Sequence, residues 1–209
     1  MTRIYLDERE IASPLELSSL DQILKYVEEK HLPPDCVIRQ IKLDGLHLNA
    51  NESSEEFSRS VQEIGNREKI EILTGNVTEI AVESIAESLS YLDRIEKLTP
   101  SLAVSFQVSP GPETYEKLRQ LYQGFYWLNL LLEKLEAKFR LNFEDIRIKE
   151  APVREHLQKF ISILKQLIAS QEQRDFFLIS DLLQYEIYPL IPVWKEMFGI
   201  ILEKMQSAG

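Results

Sequence analysis

Two different hydrophobic rhythms run along this chain, and they change over near residue 75. Before that point apolar residues come in short alternating runs separated by turn formers; after it they recur every three to four positions over long stretches. Ile4 and Leu6 share one face of a strand, Asp7-Glu8-Arg9-Glu10 forms a turn, and Ile11 resumes the apolar face, which predicts a hairpin. Leu20, Ile23, Leu24 and Val27 stand at helical spacing behind a Ser18 or Ser19 cap, and Pro33-Pro34 stops that helix. The run CVIRQIKL from Cys36 is rich in β-branched residues. Asp44-Gly45 is a two-residue hairpin turn, and Leu46 and Leu48 alternate on the return strand. A polar stretch follows with a short helix expected around Glu55 to Val61. KIEIL, Lys69 to Leu73, is the last short strand, ended by Thr74-Gly75-Asn76.

From Asn76 onward the period is that of helices. Asn76 caps a first helix to about Lys97, with Val82, Ile85, Leu89 and Leu92 as its stripe. Thr99-Pro100 predicts a new start, and residues 101–108 fit either a short helix or a strand, because Leu102, Val104, Phe106 and Val108 alternate. Ser109-Pro110-Gly111-Pro112 is a break. From Pro112 to Phe139, Leu118, Leu121, Phe125, Leu128, Leu132, Leu135 and Phe139 step by three and four. A second stripe of Tyr122, Tyr126, Trp127, Leu130 and Leu131 predicts a helix surrounded on several sides, at the centre of a bundle. Gly124 in this helix calls for the close approach of a neighbouring helix. Asn129 is either a buried register-setting residue or a solvent edge. Ile146 and Ile148 mark an extended patch, and Pro152 opens a helix carrying Leu157, Phe160, Ile161, Leu164, Leu167 and Ile168. Asp175 starts a last helix, with a kink or break expected at Pro189 and Pro192.

These elements predict an α+β domain over residues 1–75 and an all-α bundle of about five helices over residues 76–209. The order hairpin, helix, hairpin, short helix, strand resembles the β-grasp (ubiquitin-like) fold, particularly the small sulfur carriers, with Leu20, Ile23, Leu24 and Val27 as the helix face that covers the sheet. Sulfur carriers work through a free C-terminal Gly-Gly. Here Leu73 runs on into Thr74-Gly75-Asn76, so the resemblance implies a recognition or docking platform and not a carrier.

Composition removes several functions. The chain of 209 residues has 24 Lys and Arg against 34 Asp and Glu, a net charge of −10. No basic run supplies the phosphate-neutralising face that nucleic acid or anionic lipid needs, so neither is expected as a partner. The acids are spread through both modules, which argues against a dense stripe built for one basic partner. MTRIYLDERE lacks a basic segment followed by an apolar core, so no secretory leader is expected. The longest apolar run, FYWLNLLL, is interrupted by Asn129 and is far short of a membrane span. The expected location is cytoplasmic.

Motifs of catalysis and cofactor binding are not evident. The single cysteine, Cys36, can form neither an internal disulfide nor a cysteine zinc site, and its apolar run predicts a buried inert thiol. His31, His47 and His156 are scattered. The helical half lacks the two Glu-x-x-His motifs of carboxylate-bridged metal bundles, since Glu155 and His156 are adjacent and point apart. Seven glycines form no phosphate loop and no serine elbow. No metal, cofactor or catalytic residue is therefore assigned. The polar set of most interest is Asp181, Tyr185 and Glu186 in DFFLISDLLQYEIYP. Asp181 and Tyr185, four apart, are expected to share a helix face, with Glu186 beside the apolar stripe just before Pro189. These are the candidate partner-binding residues. Most of Tyr115, Tyr122, Tyr126, Trp127, Tyr185, Tyr188 and Trp194 are expected in the core.

The run DFFLISDLLQYEIYPLIPVWKEMF, with QGFYWLNLLL upstream, resembles uncharacterised bacterial proteins associated with flagellar gene clusters. That resemblance implies a cytosolic accessory role, chaperone-like, in assembly or export. The expectation is thus a non-enzymatic protein–protein interaction module with a protein partner, and so much apolar helix surface also fits a homodimer. The alternative is a small-ligand-binding protein or enzyme with a pocket between helices near Asp181, Tyr185 and Glu186. Convergence of these residues with His156 or Arg174 around a cavity would favour that alternative.

Overall fold

The fold was analysed in a computed structural model that describes residues 2–12, 19–48 and 68–207. The helix expected around Glu55 to Val61, and Ser18, lie outside these residues. The chain divides into two compact units, Met1–Ile80 and Ala81–Gly209. The fold class is the expected one, an α+β module with a mixed sheet followed by an all-α bundle.

In the first unit β1 (Arg3–Leu6) and β2 (Arg9–Ile11) form the N-terminal hairpin, with Asp7 and Glu8 at its turn both in the left-handed region. Primed turns of this kind match the twist of the strands they join. Asp7 holds the turn by accepting hydrogen bonds from the Thr74 amide (2.8 Å) and hydroxyl (2.7 Å). Helix α1 (Leu20–Lys30) is capped by Ser19, whose Oγ accepts from the Gln22 amide, and it buries Leu20, Ile23 and Val27. β3 (Cys36–Leu43) turns at Asp44-Gly45 into the two-residue β4 (Leu46–His47). β5 (Lys69–Asn76) runs longer than expected, because it pairs antiparallel with β3 along most of that strand. The sheet order is β2-β1-β5-β3-β4, with β1 and β5 parallel. Ile4, Leu43, Ile70 and Ile72 meet the α1 face to form the core of this unit. Cys36 is half-buried, not buried as expected, because it sits at the outer end of β3.

Helix α2 (Val77–Val108) is opened by Asn76, whose Oδ1 accepts from the amides of Thr78 and Glu79. It does not stop at Thr99-Pro100. A proline inside a helix costs roughly 3 kcal/mol, yet Leu92, Ile95, Thr99, Leu102 and Phe106 form one uninterrupted buried stripe across it. Burial of that stripe outweighs the local penalty. Thr99 closes its own hydroxyl on the Ile95 carbonyl (2.6 Å) instead of capping a new helix. Residues 101–108 are therefore helical. Lys195 of the last helix ties down the turn before the proline through Asp93 (2.6 Å) and Glu96. These bonds raise the pKa of Lys195 and lower that of Asp93.

Helix α3 (Pro112–Lys138) buries the first predicted stripe, Leu118 to Leu135. The second stripe is not enclosed: Tyr126 is 72% exposed, and Tyr122, Trp127 and Leu131 are only partly buried. The helix lies at the side of the bundle, since its apolar residues on two faces are covered on one. Asn129 is on the outer edge, donating to Glu133 (2.8 Å). Gly124 has the close neighbour that its presence predicts. A Cβ built there would lie 1.7 Å from the Tyr91 hydroxyl oxygen of α2. Tyr91 crosses the α2–α3 interface at this point, edge-on to Trp127 and reaching the Gln120 carbonyl over a long 3.4 Å.

After α3, β6 (Arg147–Ile148) and β7 (Ala151–Pro152) form the extended patch as a small hairpin, with Phe143, Ile146 and Ile148 buried. Arg154 joins this segment to α3 by pairing with Glu136. α4 (Val153–Gln173), α5 (Phe176–Asp181) and α6 (Tyr188–Ser207) complete the bundle, with a π-helical segment, Leu182–Ile187, between the last two. The core centres on Phe125, Phe160 and Trp194, whose rings lie 4.7–6.3 Å apart.

Two measurements check this packing. Gly124→Ala should destabilise the bundle by about 1–3 kcal/mol, as overpacking does. In a Tyr91→Ala background the sign should reverse toward the ~1 kcal/mol that alanine gains over glycine in a helix. Urea unfolding followed by tryptophan emission reads both. Burial also raises the phenol pKa of Tyr91 and of Tyr122 from 10.0 to about 12. Between those values the folded state keeps protons that the unfolded chain releases, so this contribution to stability is complete below pH 10 and declines toward pH 12. Absorbance titration should show a late phenolate phase near pH 12 that Tyr91→Phe with Tyr122→Phe removes.

Candidate functional site

The candidate residues sit where the last helical hairpin changes its winding. Arg174, in the left-handed region, ends α4, and Asp175 caps α5 through the Leu178 amide (3.0 Å). Six residues later the helix widens. The Tyr188 amide bonds the Leu183 carbonyl five residues back. Pro189 gives the physical reason. It has no N–H, and in an α-helix its ring would press on the Tyr185 carbonyl; a wider turn relieves that contact. The interruption expected at the prolines is thus a π segment ahead of Pro189, while Pro192 lies within α6. Segments of this type occur often at functional sites.

Asp181 and Tyr185 are both exposed on this segment, but only Tyr185 reaches the cleft. Ile187 and Leu183 point into the core, and Tyr185 points outward at 65% exposure. Tyr185 and Glu186 line an open cleft of about 280 Å³ with Pro189, Leu190 and Val193 of α6, Glu155, His156 and Lys159 of α4, and Lys149 of the β6–β7 turn. Asp181 and Arg174 are not among its lining residues. Convergence with His156, one of the two outcomes named for a ligand pocket, is therefore present; convergence with Arg174 is not.

The polar groups of the cleft fall into two sets. Lys159 Nζ lies 3.4 Å from Glu186 Oε2, an ion pair between exposed side chains. His156 Nε2 is 3.3 Å from the Ile148 carbonyl, an acceptor, so this nitrogen carries a proton. Lys149 and Glu155 make no hydrogen bond or ion pair among the described residues. Sequence reasoning passed over Lys149 and Lys159 and set Glu155 aside as pointing away from the adjacent His156, yet both Glu155 and His156 line the cleft. A signal for Glu155 and Lys159 was available, since they stand four apart on α4. Lys149 has none, because only the hairpin brings it to α4.

Leu190 is the floor of the cleft and also the wall of the core behind it. On its inner side it packs in the group Leu92, Phe125, Phe160, Ile187, Ile191 and Trp194, which leaves no room for a water molecule. Trp194 is buried there with its Nε1 unpartnered, as are the Ser180 and Tyr122 hydroxyls. Each unsatisfied buried donor costs about 1–3 kcal/mol. Among the described residues no cluster of His, Cys, Asp and Glu could hold a metal ion. No described helix is long and apolar enough to cross a membrane.

The expected aromatic core is mostly surface. Of the seven aromatics expected there, Trp194 is enclosed, Tyr122 and Trp127 are half-buried, and Tyr115, Tyr126, Tyr185 and Tyr188 are exposed. Phe177 adds to them at 72% exposure. Cleft and core should respond differently to substitution. Glu186→Gln should change bundle stability by less than about 1 kcal/mol, as exposed pairs do, whereas Trp194→Ala should cost about 3–5 kcal/mol. Thermal and urea unfolding of both variants tests the contrast.

A family model described as Domain of unknown function (DUF8042) matches residues 83–197. No curated protein and no solved structure matches the chain. The matched span contains every residue of the cleft and Trp194 behind it. As it covers more than half of the 209 residues, the chain belongs to the DUF8042 family of domains of unknown function.

Proposed function

We propose that this protein is a non-enzymatic, cytoplasmic protein–protein interaction module whose partner docks on the segment Phe176 to Pro189. The observation that carries this reading is the exposure of Phe177, Tyr185 and Tyr188 on that one segment, with Leu178 beside them. Exposed aromatics in one place are typical interface anchors. Asp181 is exposed and Glu186 half-buried on the same segment, so the complementary partner surface carries Lys or Arg at its rim. The β-grasp resemblance of the N-terminal module fits a second recognition platform. The resemblance to proteins of flagellar gene clusters fits a chaperone-like accessory role in assembly or export. Self-association into a homodimer through the same aromatics is the related form of this proposal.

The full chain, used as bait in its native cell, should recover a stoichiometric protein. Tyr185→Ala with Tyr188→Ala should lower that recovery at least tenfold, with thermal unfolding unchanged, as loss of central anchors costs about 2 kcal/mol or more. Equal recovery by wild type and variant would exclude this face.

A second reading has its own observation. Tyr185, Glu186 and His156 share the cleft with two lysines and a second glutamate, a polar group over an apolar floor, which supports small-ligand binding.

A further inference from the structure

We propose that the cleft beside the π segment binds a small zwitterion with an apolar body, of the class of apolar and aromatic α-amino acids. The inference rests on the ligand-binding reading of the cleft and names its ligand class. Lys159 and Glu186 already face each other. That leaves one cation, Lys149, and one anion, Glu155, lining the same cleft with no side-chain hydrogen bond or ion pair among the described residues. An anionic ligand would satisfy Lys149 and meet the Glu155 carboxylate unscreened; a cationic ligand would do the reverse. A molecule carrying one charge of each sign satisfies both. Its ammonium belongs at Glu155, which lines the cleft beside His156. Its carboxylate belongs at Lys149, with the Tyr185 hydroxyl as a further donor lining the cleft.

Size and floor narrow the class. About 280 Å³ lies below the ~300–1,000 Å³ of sites for drug-sized ligands. It accommodates one amino acid. Leu190, Val193 and Pro189 form an apolar bed for the side chain. Leu190 separates that bed from Trp194, so an occupant pressing on Leu190 alters the surroundings of the indole behind it.

The chain has two tryptophans, and Trp127→Phe leaves Trp194 as the reporter. The full-length Trp127→Phe protein is titrated with L-leucine, L-methionine and L-phenylalanine, and with 3-phenylpropionate and phenethylamine, which keep only one charge each. Calorimetry on the wild-type chain runs in parallel. The expected result is a saturable change in Trp194 emission and heat with at least one amino acid. The single-charge analogues should bind at least tenfold more weakly, and Lys149→Met and Glu155→Gln should each weaken binding at least tenfold while leaving thermal unfolding unchanged. An analogue that binds as tightly as phenylalanine overturns the zwitterion class and leaves the cleft a ligand site. Amino-acid binding untouched by both substitutions overturns the placement. No heat and no emission change with any probe overturns this proposal and the ligand-binding reading with it.

Discussion

The packing of Trp194 against Phe125, Phe160 and Phe198 sets where three helices of the bundle stand. α3 contributes Phe125, α4 Phe160 and α6 both Trp194 and Phe198, so one aromatic group holds all three elements. Aromatic pairs of this geometry add to the burial of their large areas. Around that group α2 contributes Leu92, and the π segment contributes Ile187. The cleft is a consequence: its walls are the outer faces of α4 and α6, whose inner faces meet at Phe160 and Trp194. The unpartnered indole nitrogen is the exception to an otherwise apolar contact, and it marks the part of the core where polar satisfaction gives way to close packing.

Two prolines show how such packing bargains with the backbone. Pro100 stands in the middle of α2 with the helix intact, because buried residues on both sides of it lie on one stripe and Lys195 ties the preceding turn to α6. Pro189 is accommodated differently, by a wider turn ahead of it. Through that turn Leu182, Leu183 and Ile187 stay inside, and Tyr185 and Glu186 are left on the rim of the cleft.

This division explains what could be read in the sequence. Features set by local chemistry were legible: the turns at Asp7 and Asp44-Gly45, the Ser19, Asn76 and Asp175 caps, the strands around Cys36 and Lys69, and the buried stripe of α3. The close contact at Gly124 was legible as a need for space, though not as Tyr91, because nothing local to Gly124 names a partner on another helix. Features set by tertiary balance were not. Continuity through Pro100 depends on residues on both sides being buried together. The exposure of Tyr126, Tyr185 and Tyr188 depends on which faces find neighbours, and aromatic residues at helical spacing look the same in either case. The candidate site divided in the same way: Tyr185 and Glu186 reached the cleft and Asp181 did not, because α4 and the β6–β7 turn, distant in sequence, decide which part of the segment the cleft borders.

The proposed partner surface and the proposed ligand cleft share Tyr185 and Glu186, so the two proposals are coupled. Tyr185 lines the cleft and is also one of the exposed aromatics, while Glu186 is held by Lys159 across the cleft mouth. An amino acid seated on Lys149 and Glu155, as proposed, would restrict Tyr185 and leave the Lys159–Glu186 pair in place. By linkage, whatever factor the occupant contributes to partner affinity, the partner contributes to occupant affinity. The sign follows from geometry. A ligand that fits wholly within the cleft leaves the outer face of Tyr185 free and stiffens it, lowering the entropy lost on docking. One that protrudes blocks the same ring. The amino acid proposed for the cleft is the first case, in which its occupancy would strengthen the proposed partner binding.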